Sequence, residues 1–302
     1  MDGIINICKE KGYTSHDVVA KMRGILRMKK IGHTGTLDPD AQGVLPVCVG
    51  KATKLVDLIT DKDKTYLAQA KLGITTDTQD ISGKVLSTSE VKADRGMLER
   101  ALQSFTGEYM QLPPMYSAIK VNGRKLYELA REGKEIERDR RPVTVKEIRL
   151  LEYNETEQEF TVSVECTKGT YVRTLLQDIG DSLGCGATMT SLVRTAVGSF
   201  RLENAITLSQ LERLAEEKGL EPYIVTIDQV FCHYSRVTVF SEYNKLIYNG
   251  NLFKPEHVRT PGAGRMSELV RVYDSEEQFI GLYRYEEEEK LFRPVKMFLT
   301  QE

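Results

Sequence analysis

The sequence predicts an α+β protein with a small β-rich domain at its C-terminal end. Two observations carry that prediction. Segments with helical and with alternating apolar spacing are mixed over the first 230 or so residues without strict strand–helix alternation. After about Phe231 the texture changes to short alternating runs at 236–240, 269–273, 279–285 and 292–298, punctuated by Gly250 and Gly281.

The elements of the larger part follow in order. Residues 17–29 place apolar side chains at 18, 19, 22, 25 and 26, the spacing of one helix face. Residues 52–60 read as a short helix, 65–72 as an alternating strand, and 73–80 as a polar connection. A helix is expected over 95–105, a strand over 115–121 and a helix over 125–131. Residues 143–153 and 159–167 alternate like paired strands. Residues 169–183 start as a strand and turn helical; 189–197 reads as a strand and 208–218 as a helix.

The chain of 302 residues, 40% hydrophobic and 28% charged, has the composition of a soluble globular protein. It lacks the basic start and long apolar core of a signal peptide, and no apolar run approaches the roughly 20 residues that span a bilayer. Five scattered cysteines without a Cys-x-x-Cys fit reduced thiols, so a cytoplasmic protein with no membrane contact is expected. The net charge of −2 carries no global sign of nucleic acid. Locally, residues 118–150 hold ten Lys/Arg against six Asp/Glu, while acid collects at 152–159 and 286–289. On charge alone that segment reads as a solvated, salt-bridged face.

The segment Gly32-His33-Thr34-Gly35-Thr36-Leu37-Asp38-Pro39-Asp40-Ala41-Gln42-Gly43 is punctuated by three glycines and a proline, which favours a shaped loop. The apolar run 44–49 follows and anchors it to a buried element. Several chemistries fail on spacing. An EF-hand starting at Asp38 needs a Glu where Val49 stands. A P-loop ending at Gly50-Lys51 needs Ser or Thr at Ala52 and Gly at Leu45. Ser117-Ala118-Ile119-Lys120 has no Ser-Asp-Asn or Lys-Thr-Gly companion. The four histidines form no His-Glu-x-x-His, which argues against a zinc hydrolase. What remains is a carboxylate held on a loop.

Several motifs in order resemble the TruB family, the bacterial tRNA pseudouridine-55 synthases. Gly32 to Pro39, with Gly43-Val44-Leu45-Pro46, is similar to that family's catalytic loop, and Asp63-Lys64-Thr65-Tyr66 to its Lys-x-Tyr segment. Thr75-Thr76-Asp77-Thr78-Gln79-Asp80 resembles its acidic turn. Pro113-Pro114-Met115-Tyr116-Ser117-Ala118 resembles its Pro-Pro-x-Tyr-Ser-Ala block, extended by 126–133. Gly169-Thr170-Tyr171-Val172-Arg173-Thr174-Leu175 and Ser191-Leu192-Val193-Arg194-Thr195 resemble its arginine and late-strand motifs.

The resemblance implies a pseudouridine synthase fold, a mixed and largely antiparallel sheet flanked by helices, over 1–235, with a PUA-like RNA-binding domain over 236–302. It implies uridine isomerisation at position 55 in the tRNA T-arm loop, with no cofactor and no metal. Asp38 is expected to start the reaction as nucleophile or by taking the ribose 2′ proton. Arg173 is its ion-pair partner, and Tyr66 stacks on uracil and accepts the C5 proton. His33 is expected to splay the RNA loop, Tyr171 and Leu192 to wall the uracil pocket, and Lys9 to pack backbone or line the pocket. Lys9 lies in a stretch similar to the family's Lys-Pro-x-Gly-x-Thr-Ser, with Glu10 in place of Pro. Asp80 is expected to shape its turn or join the Asp38–Arg173 pair, and Asp40 to face solvent. The basic 118–150 segment overlaps the insertion that closes on the T-arm in bacterial members, so phosphate contact without a guide RNA is expected. A monomer is expected, and the alternative reading is a tRNA-folding helper whose isomerase activity is secondary.

Overall fold

The computed structural model describes residues 1–121, 123–259 and 269–299. It divides into two compact units, Asn6–Val47 with Leu55–Leu220, and Met1–Ile5 with Cys48–Lys54 and Glu221–Glu302.

In the larger unit the strands Gln42–Val49, Ala187–Val197, Lys64–Leu72, Glu159–Cys166, Arg141–Asn154 and Gly107–Gln111 lie side by side in that order. Neighbours run antiparallel except Ala187–Val197 and Gln42–Val49, which are parallel. Alternation decides which face is buried. Tyr66, Ala68, Ala70 and Leu72 point inward from one strand, and Phe160, Val162 and Val164 from the next. The helices Arg95–Ser104 and Val172–Ser182 cover that face through Leu98, Leu102, Leu175, Leu176 and Ile179. Gly180 sets the depth of the second helix: a Cβ there would lie 2.3 Å from the Gly186 carbonyl carbon. This is the α+β arrangement expected, a largely antiparallel sheet flanked by helices.

The helix expected at 17–29 runs Ser15–Leu26, because Thr14 caps it. The Thr14 hydroxyl accepts from the Asp17 amide at 3.1 Å and the Asp17 carboxylate accepts from the Thr14 amide at 2.8 Å. Three expectations need correction. The strand expected over 115–121 is reduced to Lys120–Val121, because the backbone before it is engaged elsewhere: the Tyr116 carbonyl accepts from Arg173 and the Ser117 carbonyl from the Tyr127 amide. Residues 169–171 are a turn and a helix start. The Gln111 side chain takes both the amide of Tyr171, at 2.8 Å, and its carbonyl, at 3.0 Å, so one amide group replaces a strand ladder. Residues 52–60 begin as a 3₁₀ turn, Gly50–Leu55, before the helix Val56–Thr60. Within the polar connection, Ile74–Thr76 pairs with Val85–Thr88.

In the smaller unit Ser235–Thr238 runs parallel to Leu269–Tyr273, which continues antiparallel into Phe279–Glu286 and Leu291–Met297. Its core is Val237, Val270, Val272, Ile280, Tyr283, Phe253 and Phe292, the last two stacked with ring centroids 4.6 Å apart. Ile4 and Ile5 pair with Val225 and Ile224 in the same unit.

Candidate active site

The loop carrying Asp38 is staked at several points. The Thr34 amide and hydroxyl both donate to the Pro46 carbonyl, at 3.1 and 3.0 Å. The Leu37 amide donates to the buried Ser15 hydroxyl at 2.9 Å, and the Ala41 amide closes a turn on the Asp38 carbonyl at 3.1 Å with Pro39 in its first corner. Lys9 is fully buried and straps the loop from below, its Nζ donating to the carbonyls of Tyr13 at 2.6 Å, Pro39 at 3.1 Å and Glu10 at 3.2 Å. Three backbone carbonyls thus take the donors of Nζ. Burial pulls its pKa down to about 8, against the pull of Asp38 in the other direction. Leu37 is buried on one side of Asp38 and Pro39 tied on the other, so the carboxylate is fixed in direction.

Arg173 meets it from the second residue of the Val172–Ser182 helix. Its Nε lies 3.1 Å from an Asp38 carboxylate oxygen. Arg173 is held in turn: Nη1 donates to the Thr78 carbonyl at 3.0 Å and lies 3.7 Å from Asp80, and Nη2 donates to the Tyr116 carbonyl at 2.9 Å. The arginine side chain keeps 5% of its surface exposed and Asp38 keeps 41%. The carboxylate is thus ringed by protein on its inner side and open on its outer side. Burial pushes its pKa up, Arg173 pulls it down and the Asp80 charge pushes it up again. Asp80 lies between Arg173 and its own turn. One oxygen faces Arg173 while the other accepts from Thr78 and Ser82 hydroxyls at 2.7 and 2.5 Å, shaping the turn. Asp40 is exposed.

Tyr66 and Leu192 face the same side of neighbouring strands, Leu192 opposite Ala68 and Tyr66 opposite Arg194. Both are buried. Burial raises the Tyr66 pKa, while the positive charge of Arg194, opposite it on the neighbouring strand, works the other way. Tyr171 caps the arginine helix, and burial raises its pKa too, opposed by Ser117 and Arg173. Asp38 acts electrostatically on both Tyr66 and Tyr171. Arg194 itself was not anticipated. Its signal was an arginine at an inward-facing position of an otherwise apolar alternating strand.

His33 ends the strand Ile31–His33, its ring edge-on to His16 with centroids 5.1 Å apart. Its Nδ1 accepts from the Gly35 amide at 3.3 Å, which leaves the proton on Nε2. Burial, followed by the charges of His16 and Arg194, lowers its pKa to about 4, so the ring is neutral near pH 7. A consequence follows for stability. The unfolded chain binds a proton at His33 near pH 6.5 and the folded chain only near 4, so His33 costs stability as pH falls across that window. Replacing His33 with Gln flattens the acid side of the stability curve between pH 6.5 and 4, measured by urea melts; an unchanged slope contradicts the assignment.

Half of the basic side chains in 118–150 are paired with carboxylates, among them Lys134–Glu132 at 2.9 Å, Lys146–Asp63 at 2.5 Å and Arg149–Glu147 at 2.8 Å. Exposed pairs such as these three contribute about 0–1 kcal/mol each. Among the described residues no group of three or more His, Cys, Asp or Glu is arranged to hold a metal, and no helix is long and apolar enough to cross a membrane.

The site is thus a loop carboxylate ion-paired to a helix-borne arginine, with a buried tyrosine under its electrostatic influence. The family model for the N-terminal domain of TruB family pseudouridylate synthases matches residues 23–172, and that for the tRNA pseudouridylate synthase B C-terminal domain matches 173–231. The chain is 50% identical over 307 aligned residues to the tRNA pseudouridine synthase B of Lachnoclostridium phytofermentans, covering 99% of this chain and 100% of that protein. This chain belongs to the TruB family. A second TruB relative, the tRNA pseudouridine synthase B of Alkaliphilus oremlandii, is 46% identical, covering 93% of this chain and 92% of that protein. Among solved structures, a chain of an H/ACA ribonucleoprotein bound to a substrate RNA containing 2′-deoxyuridine superposes with a TM-score of 0.71 at 26% identity, covering 99% of this chain and 85% of that one. The TruB fold expected from the motifs is thereby confirmed.

Proposed function

We propose that this protein isomerises uridine to pseudouridine at position 55 in the T-arm loop of tRNA, acting as a monomer without cofactor or guide RNA. The observation that carries the reading is the Asp38–Arg173 pair, a directed carboxylate with one open face. Isomerisation breaks N1–C1′, joins C5 to C1′, takes a proton from C5 and returns one to N1. Atoms and electrons balance within the substrate, so one initiating carboxylate, one proton acceptor and a shaped pocket suffice.

Asp38 starts the reaction by attacking C1′ or removing the 2′ proton, and both tasks require the ionised form that Arg173 favours. Tyr66 stacks on the uracil and its hydroxyl accepts the C5 proton; Tyr171 and Leu192 wall the ring. Asp80 holds Arg173 in place. The large unit's residues carry this chemistry within the domain 1–235, and 236–302 acts as a PUA-like RNA-binding domain. Basic side chains of 118–150 leave their surface carboxylates for tRNA phosphates. The protein works in the cytoplasm, where tRNA is its partner.

The uridine must leave its stack, at a cost of a few kcal/mol. The neutral ring of His33 takes the vacated position and offsets part of that cost by stacking. Modification of a T-arm transcript, mapped base by base, is expected at the single uridine 55. His33→Ala lowers the rate at least tenfold more on the folded T-arm than on an RNA whose loop is already opened. Equal losses on the two RNAs contradict the wedge, and modification scattered over other uridines contradicts the substrate assignment.

A further inference from the structure

Arg194 is 1% exposed, the largest fully buried side chain of the described residues, and none of the polar groups that hold it is a carboxylate. Its Nε donates to the Val44 carbonyl at 2.7 Å, Nη1 to the Thr36 carbonyl at 3.4 Å and Nη2 to the Gly35 carbonyl at 3.3 Å. Those carbonyls stand on either side of Asp38 in the chain. The backbone is locked to the same residue. Gly43 lies opposite Arg194 in the parallel pair, and a Cβ on Gly43 would lie 2.2 Å from the Arg194 carbonyl oxygen. On its other side Arg194 stands directly opposite Tyr66 across the strand pair, both side chains buried on the same face, so its positive charge acts on the phenol.

A buried guanidinium keeps its charge only where acceptors or anions surround it. Three carbonyl dipoles supply part of that environment here, and the phenol of Tyr66 is a cross-strand neighbour able to become an anion. We propose that Arg194 is a positioning residue that ties the Asp38 loop to Tyr66 and supplies the cation that lets the Tyr66 hydroxyl give up its proton. One residue then couples the group that starts the reaction to the group that ends it. The same charge opposes nearby cations: Lys64 is brought down to about 8, first by burial and next by Arg194. In the step itself, the phenolate oxygen of Tyr66 forms the new O–H bond. The C5–H bond breaks and its electron pair forms C5=C6, while the C6=N1 pair passes to N1, which takes a proton from water in place of the one the phenol released to water on ionising. Arg194 stays charged throughout and exchanges no proton.

The inference rests on the reading of Tyr66 as proton acceptor, and its test separates the two. A fluorinated tyrosine whose phenol titrates in the neutral range is placed at position 66 of the full chain, and its ionisation is followed by fluorine NMR without RNA. Arg194→Met is expected to raise the titration midpoint by at least one pH unit, a tenfold loss of phenol acidity. Arg194→Gln keeps a donor for the Val44 carbonyl and removes the charge, so the same shift is expected if the methionine variant does not fold. In parallel, Arg194→Gln with Tyr66 intact is expected to lower the maximal rate of C5 proton release with little change in KM, the loss shrinking as pH rises. A midpoint that does not move in a folded variant overturns the inference, because an arginine that only supports the loop leaves the phenol unchanged. A midpoint that moves while Tyr66→Phe releases the C5 proton at the normal rate upholds the coupling and overturns the role of Tyr66 instead.

Discussion

Asp38→Asn lowers pseudouridine formation by about a thousandfold or more, while tRNA binding and the melting temperature at neutral pH are not reduced. The amide keeps the shape of the carboxyl group but neither attacks C1′ nor accepts the 2′ proton. The stability half of the prediction follows from the sign of the pKa shift. Burial raises the Asp38 pKa, so the folded chain holds that proton more tightly than the unfolded chain does. Its contribution to stability is therefore greatest below the unfolded value and declines as pH rises through it toward the folded one. At neutral pH the ionised Asp38 is a cost to the fold, and the asparagine removes it. Arg173 keeps the Thr78 and Tyr116 carbonyls and Asp80 in that variant, so its own burial remains compensated. Retained tRNA binding in an inactive protein also separates isomerisation from tRNA folding: a folding effect that persists in Asp38→Asn supports the helper reading for that effect.

Arg173→Met has the second large effect, and it differs in kind. Removing this buried guanidinium takes the Arg173 donors from the Thr78 and Tyr116 carbonyls and sets Asp38 beside Asp80 with no arginine between them. A loss of about 3–5 kcal/mol in urea melts is expected, as for other broken buried pairs. Arg173→Lys restores a charge without the fork that reaches Asp38, Thr78 and Tyr116 together, so it folds better than the methionine variant. With the cation less well placed, the Asp38 pKa rises further and the acid limb of the pH–rate profile moves to higher pH. An acid limb in the same position as that of the unaltered protein contradicts the pairing.

Much of this site was legible in the sequence because its residues are carried by short contiguous motifs. Asp38 stands in a Gly/Pro-punctuated loop, and Arg173 and Tyr171 are two residues apart at a helix start, so each motif brings its own local geometry. The alternating strands 65–72, 143–153 and 159–167 were legible for a related reason: one face of each is buried and one is not, and period 2 survives in the residue types. Gly3–Lys9 was missed because all but one of its residues are buried, which erases the alternation. Gly107–Gln111 was missed because its polar residues include Gln111, whose side chain serves Tyr171 sixty residues away. The strand expected at 115–121 failed because Arg173 claims a backbone carbonyl there, a tertiary demand no local pattern contains. Arg194 shows the limit most clearly. Its position was legible within the late-strand motif, but its role depends on three carbonyls about 150 residues away and a tyrosine on the neighbouring strand.

The central claim is that a single carboxylate in this chain drives uridine isomerisation with no added chemistry. It is tested most directly by tritium release from a T-arm RNA labelled as 5-³H-uridine, with purified protein, chelator present, and no nucleotide or guide RNA. Tritium appearing in water from the unaltered protein, and none above background from Asp38→Asn that still binds the RNA, is the result predicted. Release by Asp38→Asn at the unaltered rate, or no release by the unaltered protein until a guide RNA, metal or nucleotide is supplied, contradicts it.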